Sequence, residues 1–254
     1  MKNTKLEINK ITVETGGLPA APPAAQAGET VANDISLSVS SGELVFLMGP
    51  NGSGKSSVLK ALLGHPAYRA VSGEFSLDGE NITALPTEKK ARLGIFLSLQ
   101  ELPEIQGVTL EQFLYRSYKE LHGKTLSPLE FRKYAEGESA KAGLDPSFLR
   151  RPVNAGFSGG EKKMAEALQL FILKPKFALL DEPDSGVDRD SLEKVFKVIE
   201  LLRAEGVGFL LVTHYPSILK RLTPNRVYLM KSGRIKRSGG EELAREIEEK
   251  GFGE

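Results

Sequence analysis

Apolar residues recur along the chain in short continuous runs separated by helical and loop-like segments. The clearest runs occupy residues 44–48, 177–180 and 209–212, and residues 95–99, which include Ser98, predict a further buried strand. Continuous apolar runs of this length are typical of strands that are covered on both faces, as in parallel sheets. The pattern therefore predicts an α/β core around a mixed, mostly parallel sheet.

Alternating apolar and polar positions predict a second, antiparallel sheet. Residues 6–8 and 11–13 alternate on two registers, so we predict one strand with a bulge near Asn9 and Lys10, at a sheet edge. Residues 35–39 form another alternating strand, and residues 74–82 predict a hairpin whose Asp78-Gly79 pair suits a type I′ turn. Residues 226–230 and 235–238 predict a later hairpin, and residues 241–250 a closing helix.

The middle of the chain has a different, helical character. Thr109 with Gln112, and Ser127 with Glu130, have the spacing of capping boxes that open helices, and no convincing strand stands out. We therefore predict a single domain over residues 1–254. Its nucleotide-binding core, with the antiparallel β-subdomain, spans residues 1–100 and 158–254, and a helical subdomain is inserted at residues 101–157.

Composition narrows the range of functions. With 34 basic and 33 acidic residues the formal net charge is +1, which argues against a nucleic-acid surface. Because no cysteine occurs, disulfides and thiolate-held metals are excluded for this chain. No apolar stretch is long enough to enter a membrane and no apolar leader is visible, so a cytoplasmic protein is expected.

Residues 16–28, rich in Gly, Pro and Ala, predict a surface loop.

The apolar run at residues 44–48 leads into a glycine-rich loop and a helix. Gly49, Gly54, Lys55 and Ser56 have the G-x-x-x-x-G-K-[ST] spacing of a phosphate-binding P-loop. Glycines let the backbone curl around a phosphate, and the helix N-terminus adds its positive dipole end. Lys55 is predicted to reach the β- and γ-phosphates and Ser56 to hold Mg²⁺. The predicted nucleotide-binding residues here are Gly49, Pro50, Asn51, Gly52, Ser53, Gly54, Lys55, Ser56 and Ser57.

Two adjacent carboxylates end the run at residues 177–180. Ligands bind beyond the carboxyl ends of strands in open α/β sheets, so Asp181 is predicted to hold the metal and Glu182 to polarise the attacking water.

A second phosphate site is predicted at Ser158, Gly159, Gly160 and Glu161. Ser158 and Glu161 alone would make an ordinary capping box. Two glycines in the first turn of a helix cost about 1 kcal/mol each in helix stability relative to alanine. Their presence suggests that a phosphate binds close to the backbone at this helix N-terminus. Because the P-loop already holds this chain's own nucleotide, that phosphate belongs on this hypothesis to a second subunit.

The order of these motifs resembles that of ABC-type ATPases. The resemblance rests on the P-loop, Gln100, the Ser158 to Glu161 motif, Asp181 with Glu182, residues 185–188 and His214. It implies a P-loop ABC fold, ATP and Mg²⁺ as ligands, and a transient nucleotide-dependent dimer whose seam is crossed by residues 185–188. It also implies that Gln100 touches Mg²⁺ and water and that His214 contacts the γ-phosphate. The expected catalytic residues are Glu182, His214, Gln100 and Lys55, and the expected metal ligands are Ser56, Gln100 and Asp181.

A finer resemblance points to the SufC branch, the ATPase of SUF iron-sulfur cluster assembly. Residues 104–108, 156–163, 184–188 and 212–215 look like that branch, which implies scaffold partners of the SufB and SufD type. It also nominates a resting ion pair between Lys163 and Glu182. The alternatives are the nucleotide-binding subunit of an ABC transporter and a P-loop small-molecule kinase. Because no Tyr, Phe or Trp precedes Phe46, adenine is expected to be weakly stacked.

Overall fold

The computed structural model describes residues 4–16, 28–98, 103–123 and 126–253. Its strands are β1 Lys5–Thr15, β2 Thr30–Ser40, β3 Leu44–Met48, β4 Tyr68–Leu77, β5 Glu80–Asn81, β6 Ile95–Ser98, β7 Ile105–Thr109, β8 Pro152–Val153, β9 Phe177–Asp181, β10 Gly208–Thr213, β11 Arg226–Lys231 and β12 Arg234–Gly239. Its helices are α1 Lys55–Leu62, α2 Thr87–Arg92, α3 Leu110–His122, α4 Pro128–Ala142, α5 Gly159–Leu173, α6 Arg189–Ala204 and α7 Glu241–Lys250.

The central sheet has six strands in the order β12-β11-β3-β10-β9-β6. All neighbouring pairs are parallel except β11 with β12. Every residue of β3, β9 and β10 is buried, which explains why these strands are apolar up to Asp181 and Thr213, the polar residues that end β9 and β10. The predicted α/β class is confirmed. Because parallel strands end at the same sheet edge, the segments that follow β3, β9 and β10 meet there.

The antiparallel sheet has the order β2-β1-β4-β5. The bulge in β1 is present, with register shifts between Ile8 and Ile11 and a φ of 50° at Lys10. Its predicted position at the edge is wrong, because β1 pairs with β2 on one side and β4 on the other. Asp78 and Gly79 both have positive φ, at 54° and 83°, as a type I′ turn requires.

The predicted capping boxes at Thr109 and Ser127 open α3 and α4. The expectation that residues 101–157 hold no strand is wrong: β7 pairs with β8, and Ile105 lies opposite Val153. These strands are short and distant in sequence, so local patterning does not reveal their pairing. Helices α3 and α4 pack on α5 and share one hydrophobic core with the central sheet. The division at residues 100 and 157 stays a prediction.

Helix α2 holds the C-terminal end of α1. Lys90 is only 1% exposed, and its Nζ donates to the carbonyls of Leu62 at 2.5 Å and Thr83 at 3.1 Å. Thr87 Oγ1 donates to the Leu63 carbonyl. Since helices leave their last carbonyls without internal partners, these side chains satisfy acceptors that would otherwise be open.

Within the described ranges, no helix combines the length and apolar character needed to cross a membrane.

Candidate active site

The P-loop connects β3 to α1 and depends on glycine at two positions. Gly49 has a φ of 154°, and a Cβ there would lie 2.0 Å from the Met230 carbonyl oxygen. Gly54 has a φ of 97°, and its Cβ would lie 2.2 Å from the Val31 carbonyl oxygen. No side chain caps the N-terminus of α1 and no acidic residue occupies its first turn. The loop therefore presents backbone and a helix dipole, which suits a phosphate.

Lys55 is folded back into this loop. Its Nζ donates to the carbonyls of Gly49 and Pro50, both at 2.9 Å, and lies 3.4 Å from Ser53 Oγ. Burial lowers the pKa of Lys55, and the charges of Glu182 and Asp181 oppose that effect. The ammonium group is thus held within the loop, at the place where the sequence predicts that nucleotide phosphates bind.

Ser56 and Asp181 meet across the sheet edge. Ser56 Oγ donates to Asp181 Oδ1 at 2.8 Å, although 125 residues separate them. Burial raises the pKa of Asp181, and the Ser56 hydrogen bond acts in the opposite direction. A hydroxyl and a carboxylate oxygen are hard ligands that fit Mg²⁺, which commonly takes one or two protein oxygens together with substrate phosphates. The described residues include no cluster of three or more His, Cys, Asp or Glu for a fully protein-held metal.

Glu182 and His214 meet in the same region. His214 Nδ1 lies 2.7 Å from Glu182 Oε1, and both side chains are largely buried. Glu182 has a φ of 50°, a left-handed conformation that costs a non-glycine residue about 1–2 kcal/mol. Its N–H still donates to the Val212 carbonyl of β10. The chain therefore turns off β9 immediately after Asp181, which sends the two carboxylates to different neighbours.

The start of the segment after β10 is held by a side chain that sequence reasoning missed. Thr213 Oγ1 donates to Asp184 Oδ2 at 3.0 Å and accepts the Tyr215 N–H at 3.0 Å. Burial raises the pKa of Asp184, while the hydrogen bond from Thr213 lowers it. The Tyr215 and His214 ring centroids lie 3.8 Å apart. These contacts fix the backbone on either side of His214.

The predicted second phosphate motif forms the N-terminus of α5. Ser158 and Glu161 make a complete capping box, with the Glu161 N–H donating to Ser158 Oγ. A Cβ on Gly160 would lie 2.8 Å from Asp188 Oδ2, so this glycine has a packing role within the chain. Asp188 itself caps α6 through the Ser191 N–H. The motif thus sits against residues 185–188, the segment that sequence resemblance assigns to a dimer seam.

Two sequence expectations have different outcomes here. The nominated pair of Lys163 with Glu182 is wrong in this structure, because Lys163 Nζ lies 3.1 Å from Glu166 Oε2 and both side chains are buried. Residues three apart on a helix are neighbours, and that proximity decides the pairing.

Gln100 lies outside the described residues, as do residues 17–27 of the predicted surface loop. Their expected roles stay predictions.

A groove of about 370 Å³ lies between α2, β6, α3 and α5. Most of its walls are apolar, and Arg92 of α2 pairs with Glu120 of α3 at 3.2 Å. The groove is separate from the P-loop, but α2 connects the two because Lys90 and Thr87 bind the end of α1. Apolar lining side chains include Ile95, Phe96, Leu97, Phe113, Leu121 and Leu173.

A phosphate loop on a mostly parallel sheet, with carboxylates at a neighbouring strand end, is the architecture of a P-loop nucleoside triphosphatase. Residues 32–185 match the family model described as ABC transporter. A probable ATP-dependent transporter, ycf16 of Cyanophora paradoxa, is 42% identical over 229 residues, which cover 89% of this chain and 88% of the relative. Vegetative protein 296 of Bacillus subtilis is 39% identical over 227 residues, covering 89% and 87%.

Solved structures agree with this assignment. An ATP-binding subunit of an ABC transporter superposes with a TM-score of 0.75 at 26% identity, over 95% of this chain and 92% of that one. A dimeric ATP-binding cassette in a post-hydrolysis state, bound to ADP and phosphate, has the same fold, with a TM-score of 0.75 at 22% identity over 92% and 98% of the two chains. The chain belongs to the ABC transporter family of ATP-binding proteins, and it is an ATPase.

Proposed function

We propose that the chain hydrolyses ATP between two copies of itself and so drives conformational change in a SUF-type iron-sulfur cluster scaffold. The observation that carries the hydrolytic part is the pair of contacts at one sheet edge, Ser56 with Asp181 and Glu182 with His214. These contacts bring residues that are distant in sequence together beside Lys55. The group as a whole offers a cation for the phosphates, oxygen ligands for a metal and a carboxylate for the attacking water.

Each residue has a separate role in this proposal. Lys55 leaves the Gly49 and Pro50 carbonyls and binds the β- and γ-phosphates. Ser56 and Asp181 would hold Mg²⁺, which would supply positive charge to the phosphate oxygens. Glu182 orients the attacking water and accepts its proton, and Gln100 contributes to the metal and water sites.

His214 contacts the γ-phosphate in this proposal. Its Nδ1 lies 2.7 Å from Glu182 Oε1, so one imidazole can orient the carboxylate and face the phosphate. A partner that favours the arrangement in which both side chains meet the nucleotide would raise turnover without contributing a catalytic group.

The SUF assignment is supported by the motif sequences around residues 104–108, 156–163, 184–188 and 212–215. The absence of cysteine fits, because a cluster must then be built on the partner. We expect a helix of a SufB- or SufD-type scaffold to dock in the groove between α2 and α3. Apolar walls suit such a helix, and α2 links the groove to the P-loop helix. A soluble scaffold of this kind implies a cytoplasmic site of action.

The second candidate is the nucleotide-binding subunit of a transporter. The names of several relatives favour it, among them a probable ABC transporter ATP-binding protein of Streptococcus pyogenes at 40% identity. A P-loop kinase, the third alternative, is disfavoured because the chain belongs to an ATPase family.

Affinity purification of the tagged chain from its own cells, with mass spectrometry, separates the two candidates. Capture of soluble scaffold subunits supports the SUF assignment, and capture of a membrane permease contradicts it. A Lys55→Ala variant purified in parallel controls for partners whose retention depends on nucleotide.

A further inference from the structure

An arginine that precedes the Ser158 to Glu161 motif packs against two aromatic rings. Arg151 follows the 3₁₀ turn Pro146–Arg150. Its guanidinium carbon lies 3.9 Å from the ring centroid of Phe157 and 5.5 Å from that of Phe148. The two rings contact each other edge to face at 5.5 Å. These ring contacts restrain the Arg151 side chain, which is 37% exposed.

Arg151 is aimed at the carboxylate that caps α5. Its Nη1 donates to Glu161 Oε1, while Glu161 Oε2 accepts the Ser158 N–H at 2.8 Å. The hydrogen bond from Arg151 is the largest cause that lowers the pKa of Glu161, to about 2. Both oxygens are therefore occupied, and Glu161 is ionised at neutral pH.

That charge presents a physical problem for the proposed ATP sandwich. The first turn of α5 is the place where the phosphate of the opposing copy would bind, and Glu161 puts a carboxylate into the same turn. Two anions at one helix end repel each other. A glutamine could make the same cap without a charge, so the carboxylate requires a compensating cation.

We propose that Arg151 is a positioning residue of the ATP-bound dimer, which neutralises Glu161 and so lets the Ser158 to Glu161 turn approach the triphosphate of the opposing copy. This inference rests on the proposed function, because it needs the nucleotide to lie between two copies. Arg151 does not contact the reacting atoms. It acts through Glu161.

A merely structural role for Arg151 predicts a different set of results. If Arg151 only packs on Phe148 and Phe157, its removal destabilises the loop whether or not residue 161 is charged. If it neutralises Glu161, removing the charge of Glu161 repairs the loss of Arg151. The double-mutant cycle of Arg151→Gln with Glu161→Gln therefore separates packing from charge.

The experiment measures the dimer dissociation constant in saturating Mg-ATP by sedimentation, in a Glu182→Gln background so that ATP is not consumed. Arg151→Gln is expected to weaken the dimer about fivefold at low salt, since each dimer contains two such turns. Adding Glu161→Gln is expected to restore the constant to within about twofold of the parent. At about 1 M salt, where the Debye length is about 3 Å, the defect should shrink below about twofold.

Arg150→Gln is the matched control. It removes the same charge at the adjacent position, but its side chain is 79% exposed and reaches only to within 3.9 Å of Glu136. It should leave the dimer constant unchanged. An Arg151→Gln protein that dimerises like the parent overturns the inference, as does a double variant no better than Arg151→Gln. A parent that stays monomeric at every concentration contradicts the proposed sandwich and this inference together.

Discussion

The buried ammonium group of Lys90 provides a quantitative test of how the P-loop helix is held. Replacing Lys90 with Met keeps most of the length of the side chain and its apolar character but removes the ammonium group, with its charge and both hydrogen bonds. The carbonyls of Leu62 and Thr83 then lose their donor. Leu62 is the last residue of α1, so its carbonyl lies at the negative end of the helix dipole.

Two opposing effects set the magnitude. Each buried acceptor left without a donor costs about 1–3 kcal/mol. Against this, the substitution removes the desolvation penalty of a buried charge, the effect that lowers the pKa of Lys90. We expect the lost acceptor contacts to dominate, with a net loss of about 2 kcal/mol in the free energy of unfolding. For a chain of this size that corresponds to a fall in Tm of about 4–8 °C.

The pH dependence has a defined sign. Because the pKa of Lys90 is lower in the folded than in the unfolded protein, the penalty on its charged form is fully present below the folded pKa. It is relieved as the pH rises toward the unfolded value of 10.5. The stability advantage of wild type over Lys90→Met should therefore widen at alkaline pH.

Urea unfolding and thermal melts of Lys90→Met, beside Lys89→Met, measure this effect. Lys89 is on the same helix and exposed, so the control removes an equal charge without orphaning an acceptor. If the two variants are equally stable, or if Lys90→Met exceeds wild type, then the desolvation cost of the ammonium outweighs its hydrogen bonds and the reasoning is refuted.

Three further predictions concern the nucleotide site. Gly54→Ala should lose more stability than Gly52→Ala in denaturant melts. Both positions have positive φ, but a Cβ added at Gly54 would lie 2.2 Å from a backbone oxygen. A Cβ added at Gly52 would have no neighbour within 4 Å. Lys55→Ala should weaken ATP affinity in a fluorescent-nucleotide titration by at least about tenfold, because it removes the cation that we propose binds the phosphates. Affinity equal to wild type would contradict that role. GTP should compete with ATP to within about tenfold, because no aromatic residue precedes Phe46 to stack on the base; strong ATP selectivity would show that another group reads it.

Features set by local chemistry could be predicted from the sequence. The turn at Asp78-Gly79 follows from residues that tolerate positive φ, and both residues have it. The caps at Thr109, Ser127 and Ser158 follow from spacing alone. The P-loop is recognisable because glycine, lysine and serine at fixed offsets have few other uses.

Features that depend on distant packing could not be predicted. Lys89 and Lys90 are indistinguishable in sequence, yet one is exposed and the other is buried under the end of α1. The sequence resemblance predicted an ion pair between Lys163 and Glu182, but Lys163 pairs with Glu166, three residues further along the same helix. The packing of Arg151 likewise requires knowing where Phe148 and Phe157 lie. In each case the side-chain environment, and not the residue type, determines the role.

The central claim, that Glu182 activates water for ATP hydrolysis, is tested most directly by phosphate release from the Glu182→Gln protein under saturating Mg-ATP. The amide keeps the size of the side chain but cannot accept a proton. Turnover should therefore fall at least about 100-fold while ATP affinity stays within about threefold of wild type. A Glu182→Gln protein that releases phosphate at close to the wild-type rate would show that another group activates the water.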